Sequence, residues 1–399
     1  MGYIQKGTPS FRNTNLAFFA AGFSTYANLY CVQPLLPEFT KEFNLSPAYA
    51  SLSLSLTTLT LAIAMLITGS ISESWGRKPI MVISMFAVSV LTILAAFASS
   101  FEYLLAFRIL QGIVFAGLPS IAMAFLSEEI DPHSLGIAMG MYISGNSVGG
   151  LSGRIITGMV TTWFDWHTAI IAIGVLSIGA SILFVLLLPA SQHFEPQPLK
   201  IRQLFRSMIS HLKDPGLLCL YGVGFLLMGS FVTIYNYLEF QLVDPPYSLS
   251  KALVSWIFIL YLLGTVSSAW MGKLADKYGS KNILIISILL TGMGALTTLN
   301  TLLLVKIIGV ALFTFGFFGG HSISSSWVGQ RAAHDKAQAS SLYLFFYYAG
   351  SSIGGTLGGI FWSTLGWSGV ISMITLFLIV ALSLGGILYF KQTKNLRVH

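Results

Sequence analysis

GSISESWGRK at 69–78 and GKLADKYGSK at 272–281 have the same length, with glycines at the first and eighth positions and an acid at the fifth. Each follows the second long apolar run of its half of the chain, at an offset of 203 residues. GNSVGGLSG at 145–153 matches GSSIGGTLG at 350–358 at an offset of 205, and both run on to a tryptophan, Trp166 and Trp367. LLAFRI at 104–109 pairs in the same way with LLLVKI at 302–307. Three matches in one order mark an internal duplication.

Around these repeats the composition is that of a membrane chain. Of 399 residues, 55% are apolar and only 9% charged, and mean hydropathy is +0.78; a soluble surface needs roughly a quarter or more charged residues. A cytosolic enzyme, a secreted disulfide scaffold and a disordered chain are thereby excluded. Spans of roughly 20 apolar residues, enough to cross the hydrocarbon as helices, are expected at 16–37, 48–70, 79–99, 101–126, 135–160 and 168–188. Six more follow at 216–240, 252–271, 281–299, 301–327, 338–363 and 367–390. Continuous apolar runs exclude barrel strands, which alternate. The first run is too long for a signal-peptide core.

The formal charge of +7 reads as topology and not as nucleic-acid binding. With the N-terminus cytoplasmic, 16 of the 21 Lys and Arg fall in cytoplasmic segments, from Lys6 and Arg12 through Arg77, Lys78, Lys200 and Arg202 to Lys391, Lys394 and Arg397. Lys41 and Lys251 face the other side, and both termini are cytoplasmic by the positive-inside rule. Arg108, Arg154 and Lys306 fall inside spans. The expected fold is therefore an all-α membrane protein with twelve transmembrane helices in two pseudo-symmetric six-helix bundles, 1–189 and 216–399. A cytoplasmic linker, 190–215, joins them. In it Leu204, Phe205, Met208, Ile209 and Leu212 share a helical face beside basic Lys200, Arg202, Arg206 and Lys213, which suits a helix on an anionic leaflet or a plain basic spacer. Cys31 and Cys219 sit toward opposite ends of their spans, so neither a disulfide nor a zinc site is expected.

Two homologous six-span halves joined by a cytoplasmic loop suit a rocking transporter with a site exposed to each side in turn. GSISESWGRKP at 69–79 resembles the loop motif of the major facilitator superfamily, Gly-x-Leu-x-Asp-x-x-Gly-Arg-Lys, and 272–281 resembles its second copy. RILQG at 108–112 is similar to the superfamily's fourth-helix motif, and GNSVGG at 145–150 to the fifth-helix antiporter motif. With QPLLPEF at 33–39, the set resembles bacterial drug and metabolite exporters, including arabinose-efflux-type permeases. Glu73 stands where Asp is usual, Ser74 where a basic residue is common and Asn146 where antiporters carry Pro; the last of these weakens the antiporter reading.

In the 2–3 loop, Gly69 and Gly76 permit close helix approach and a tight turn. Glu73 can accept from a helix N-terminus, while Arg77 and Lys78 can pair with acids or lipid phosphate. The resemblance implies a cytoplasmic latch there, mirrored by Gly272, Asp276, Gly279 and Lys281. Gly145, Gly149, Gly150 and Gly153, like Gly350, Gly354, Gly355 and Gly358, suit backbone-to-backbone packing, static or sliding. A cation within a span costs roughly 2.5–3.5 kcal/mol on insertion scales. Arg108, with Gln111 one turn further in, either snorkels outward or tunes proton or substrate binding. Arg154, whose repeat counterpart is Gly359, needs a partner or a wet cavity because it cannot lose its proton; it braces spans or serves substrate and coupling. Glu239 and His321 are the candidate proton carriers, His321 reading equally as a hydrogen-bonded core residue. Tyr26, Tyr30, Gln33, Asn146, Tyr235, Asn236, Tyr347 and Tyr348 are the expected cavity lining for an amphipathic organic molecule, although tyrosines near span ends also serve as interface anchors.

The sequence has no Gly-x-x-x-x-Gly-Lys-Ser/Thr loop, no His-Glu-x-x-His and no Cys/His cluster, so no enzyme, cofactor or metal is expected. The leading expectation is a monomeric secondary exporter of a small organic solute or drug in the cell membrane, the inner membrane of a bacterium. It works against inward proton flow, with protons, substrate and membrane lipid as its partners. Uptake of an anionic metabolite is the alternative, motivated by intramembrane cations outnumbering acids. A non-transporting sensor or scaffold is the alternative of another class.

Overall fold

The computed structural model describes residues 3–196 and 201–395; Lys200 and Arg397 of the cytoplasmic basic set, and 197–199 of the linker, lie outside them. All twelve expected spans fall on helix. In the first half these are α1 (Pro9–Tyr30) with a short α2 (Leu36–Glu42) beyond a 3-10 turn at Gln33–Leu35, then α3 (Pro47–Trp75), α4 (Arg77–Ala95), α5 (Phe101–Phe115) with α6 (Pro119–Glu129), α7 (Leu135–Trp163) and α8 (Trp166–Leu187). The linker carries α9 (Ile201–Leu212). The second half comprises α10 (Pro215–Val243), α11 (Lys251–Ser255) running through a 3-10 stretch into α12 (Leu262–Tyr278), α13 (Ser280–Thr297), α14 (Leu303–Arg331) and α15 (Lys336–Asn395). Gly366, at φ 60° and ψ −144°, breaks α15 into its two passes.

Local chemistry sets the helix starts. Thr8, Ser100, Asp165, Asp214 and Ser250 each place a side-chain oxygen on a first-turn N–H, and Pro9 and Pro215 follow their caps, where the missing N–H costs nothing. Hydrogen bonds from Thr168 hold the Asp165 carboxyl below the usual aspartate range. The fourth span is broken because Pro119 cannot donate to the ladder. Around the break the Phe115 carbonyl accepts from the Leu118 N–H, the Val114 carbonyl accepts from both the Gly117 N–H and the Ser84 hydroxyl, and the Ala116 carbonyl accepts from the Ser120 hydroxyl, as a lipid-embedded break requires.

Among the described residues nine stretches are long and apolar enough to cross a membrane, one of them containing both passes of α15. α1 and α7 fall short of that standard because they carry Asn15, Asn28, Asn146 and Arg154, and they pack on each other. By packing, the residues up to Asn44, Leu56–Ile201 and Ser250–Trp256 form one compact unit. Leu45–Ser55, Arg202–Leu249 and the residues from Ile257 onward form the other.

Each unit has a glycine seam. In the first, a Cβ on Gly145, Gly149 or Gly153 of α7 would stand 2.3, 2.2 or 2.7 Å from the backbone of Phe19, Phe23 or Ala27 on α1. In the second, Gly350 and Gly354 of α15 meet Phe225 and Gly229 of α10 at 2.0 and 2.6 Å. The duplication read from sequence therefore reappears as the same backbone-to-backbone packing. It reappears also in the loops: Gly76 and Gly279 take φ 102° and 89° at the starts of α4 and α13, a region that L side chains avoid. Gly69 and Gly272 differ from the expectation of close approach, since a Cβ on either meets nothing within 4 Å.

Candidate functional site

In the first unit the fourth-span arginine sits at a helix end. Arg108, 1% exposed, donates to the carbonyls of Asn28 and Leu29 at 3.2 and 2.8 Å, where α1 runs out of its own N–H donors, and to Gln111 Oε1 at 2.7 Å. Gln111 donates to Thr92 Oγ1 (2.9 Å), Thr92 to Asn28 Oδ1 (2.6 Å), and Asn28 to the Ser177 hydroxyl (2.5 Å). One chain of polar groups thus links α1, α4, α5 and α8. The guanidinium is turned into the protein, so outward snorkelling does not account for it.

Arg154 is 2% exposed. Its Nε donates to Gln33 Oε1 at 2.7 Å, Nη1 donates to the Gly150 carbonyl at 2.7 Å, and its guanidinium carbon lies 4.1 Å from the centre of the Tyr30 ring. Tyr26 stacks obliquely on Tyr30 at 6.2 Å. The expected residues Tyr26, Tyr30, Gln33 and Arg154 therefore form one cluster at the α1–α7 seam. Asn146 lies elsewhere on that seam, over Gly22, where its Oδ1 fills the place of a Cβ.

In the second unit an aromatic wall runs along α10, α14 and α15. Tyr235 donates to or accepts from Thr314 at 2.7 Å, and its ring meets Tyr261 at 4.7 Å. Phe231 stacks on Phe317 at 3.9 Å, and Phe317 lies parallel to the His321 imidazole at 6.0 Å. His321 is half-buried, its Nδ1 2.9 Å from Tyr343 OH and its ring 4.5 Å from Tyr347, with Tyr348 next at 5.3 Å. Asn236 and Glu239 are buried on α10, at 0% and 3% exposure. Among the described residues, no group of three or more His, Cys, Asp or Glu is placed to hold a metal ion.

At the start of α4, Arg77 makes a two-pronged bond to Glu128 (3.2 and 2.7 Å) and donates to Ser72 at 2.6 Å, and Lys78 caps the Leu188 carbonyl at the end of α8. Glu73 and Asp276, the acids of the two loop motifs, are exposed, and Lys281 is half-buried.

The model of the Major Facilitator Superfamily matches residues 18–244 and again 242–398, and so covers nearly the whole chain in two passes. The chain belongs to the major facilitator superfamily. It is 58% identical to the uncharacterized MFS-type transporter YybF of Bacillus subtilis (strain 168), over 97% of this chain and 96% of that one. It is 45% identical to the inner membrane transport protein YnfM of Escherichia coli (strain K12), over 96% and 92%. A more distant relative, at 25% identity over 87% and 88%, is the multi-drug resistance efflux pump PmrA of Streptococcus pneumoniae. Among solved structures, an inward-facing, occupied bacterial homologue of the lysosomal transporter Spinster matches with a TM-score of 0.77 over 96% and 97%, at 14% identity. The protein is thus a multi-pass membrane transporter of the major facilitator type and not an enzyme.

Several residues of this superfamily member escape a reading of the sequence alone. Glu128, the partner of Arg77, lies on the far side of two spans from it; the only signal is the acid pair in SEEIDPHS at 127–134. Its neighbour Glu129 accepts from Ser191, from the backbone N–H groups of Gln192 and His193, and pairs with His193 at 3.2 Å, which ties the first residues after α8 to the end of α6. Lys306, the repeat counterpart of Arg108, likewise caps a helix end, donating to the Thr298 carbonyl at 2.5 Å beneath the rings of Trp367 and Tyr247.

Proposed function

We propose that this major facilitator transporter exports a small organic solute or drug by alternating access, coupled to inward proton flow. The observation that carries the reading is the wall of α10, α14 and α15, where a titratable imidazole, His321, hydrogen-bonds a tyrosine among stacked aromatic rings. Such a surface takes the apolar body of an amphipathic molecule and keeps a proton-binding group beside it. In the other unit, taken by itself, Arg154 with Gln33 and Tyr30 is a fixed cation on an aromatic face, a candidate substrate or coupling group, and Arg108 with Gln111 is a second one at the end of α1. Glu239 is the second candidate proton carrier. Arg77 with Glu128 forms the working contact of the cytoplasmic latch, and Gly279 with Lys281 its mirror. The similarity to a multi-drug efflux pump and the exporter-like motifs support the outward direction. The transporter acts as a monomer, and its place is the bacterial inner membrane, the location that the name of its relative YnfM carries.

The test is transport in vesicles with an imposed pH gradient. Accumulation in inside-out vesicles driven by interior acid supports export, and uptake confined to right-side-out vesicles overturns it. His321→Gln is expected to abolish gradient-driven accumulation while sparing exchange of substrate across the membrane. Uptake of an anionic metabolite is the second reading, favoured by Arg108, Arg154 and Lys306 all being 3% exposed or less; saturable inward flux of organic anions in right-side-out vesicles would establish it.

A further inference from the structure

The linker helix α9 does not use the face its sequence pattern indicates. Leu204 and Met208 are buried, at 8% and 4% exposure, together with Ser207 and His211. Phe205 and Ile209, from the same apolar set, stand 45% and 54% exposed. The buried face is fixed by specific bonds to the turn between α14 and α15. Ser207 donates to Asp335 Oδ2 at 2.6 Å, Ser210 Oγ lies 2.9 Å from His334 Nε2, and the His211 and His334 rings stack at 4.8 Å. At 100° per residue, the opposite face presents Phe205 and Ile209 beside a file of Arg202, Arg206 and Lys213, all exposed. The acid next to this file is already engaged: Asp214 is paired with Arg331 at 2.8 Å and caps α10.

We propose that this outer face of α9 is a docking surface for anionic membrane lipid, with Phe205 and Ile209 entering the headgroup–acyl boundary and Arg202, Arg206 and Lys213 holding the phosphates. Two observations select the lipid as occupant. Among the described residues, the charged groups beside the apolar pair on the exposed face are all cations, Arg202, Arg206 and Lys213, complementary to an anionic leaflet. Only two residues, Lys213 and Asp214, separate the end of the helix from Pro215, where the membrane-crossing α10 starts, so it is tethered at the membrane surface. The polar anchors to the α14–α15 turn keep that face from rotating inward, and lipid composition is thereby coupled to the segment that joins the halves of the sequence.

The purified full-length chain, spin-labelled at Ile209→Cys with the buried Cys31 and Cys219 left in place, is reconstituted into phosphatidylcholine vesicles with and without phosphatidylglycerol. Collisions with oxygen report lipid contact, and collisions with a water-soluble nickel chelate report water. With phosphatidylglycerol the label is expected to be oxygen-accessible and shielded from nickel. Without it, or with Arg202→Gln, Arg206→Gln and Lys213→Gln combined, the docked-to-undocked ratio is expected to fall about a hundred-fold, roughly five-fold per cation. The combined variant should keep the native Tm in detergent, which separates lost docking from lost folding. Equal nickel access in all three samples overturns the proposal. So does equal oxygen access in all three, since the cations would then recognise nothing. Shielding that appears only when soluble cell protein is added overturns it in favour of a protein partner.

Discussion

Gly149→Ala tests whether the α1–α7 seam is a fitted contact or merely a neighbourhood of small residues. The added methyl would stand 2.2 Å from the Phe23 carbonyl oxygen, 2.5 Å from its Cα and 2.7 Å from its carbonyl carbon, whereas ordinary contact begins at 3.4 Å. All three obstacles are backbone, so no side chain can turn aside, and α1 must retreat by about 1 Å. Gly145 and Gly153 lie one turn away on either side and lose their own contacts in the same movement; a gap of that size forfeits a quarter to a half of the dispersion attraction along it. An overpacked methyl costs about 1–3 kcal/mol, and at roughly 2–4 °C per kcal/mol for a bundle of this size the Tm should fall by about 2–12 °C. Gly140→Ala is the internal control. It lies on the same helix, is exposed and has nothing within 4 Å of its Cβ position, so helix propensity alone should leave its Tm unchanged or slightly raised. The assay is thermal unfolding of the purified transporter in detergent, with vesicle transport alongside. A native Tm for Gly149→Ala, or an equal drop for Gly140→Ala, refutes the reasoning.

Gly279→Ala should destabilise by about 1–2 kcal/mol, the cost of placing an L side chain at φ 89°, although the space around it is open; a Gly272→Ala variant, equally open but helical, should melt as the native chain does. Arg154→Lys keeps the charge but cannot span Gln33 and Gly150 as the guanidinium does. It should therefore lose most transport while melting within a few degrees of native, and full transport by Arg154→Lys would reduce the site to a bare charge. Burial opposes ionisation of Asp214, but Arg331 and the N–H groups of Leu217 and Gly216 outweigh it and hold the carboxyl below its ordinary value. That stabilisation is complete above the unfolded pKa of about 4 and is lost as pH falls through the lower, folded value. Thermal unfolding followed down the acid limb should show Asp214→Asn less stable at neutral pH and converging with native in acid; parallel curves would count against the linkage.

The helical passes and the duplication were legible in the amino-acid order because each depends on something local. Hydropathy over about 20 residues makes a span, and a glycine that must adopt positive φ is required wherever the chain makes the same turn, as at Gly76 and Gly279. Tertiary packing decided the rest. It gave Arg77 the partner Glu128, set Arg108 and Lys306 on the last carbonyls of other helices, left Gly69 and Gly140 open while Gly149 touches backbone, and turned Phe205 and Ile209 of α9 outward. None of these follows from periodicity. A helix carries the same pattern whichever neighbour it meets, and only that neighbour determines which face is covered and which charge is answered.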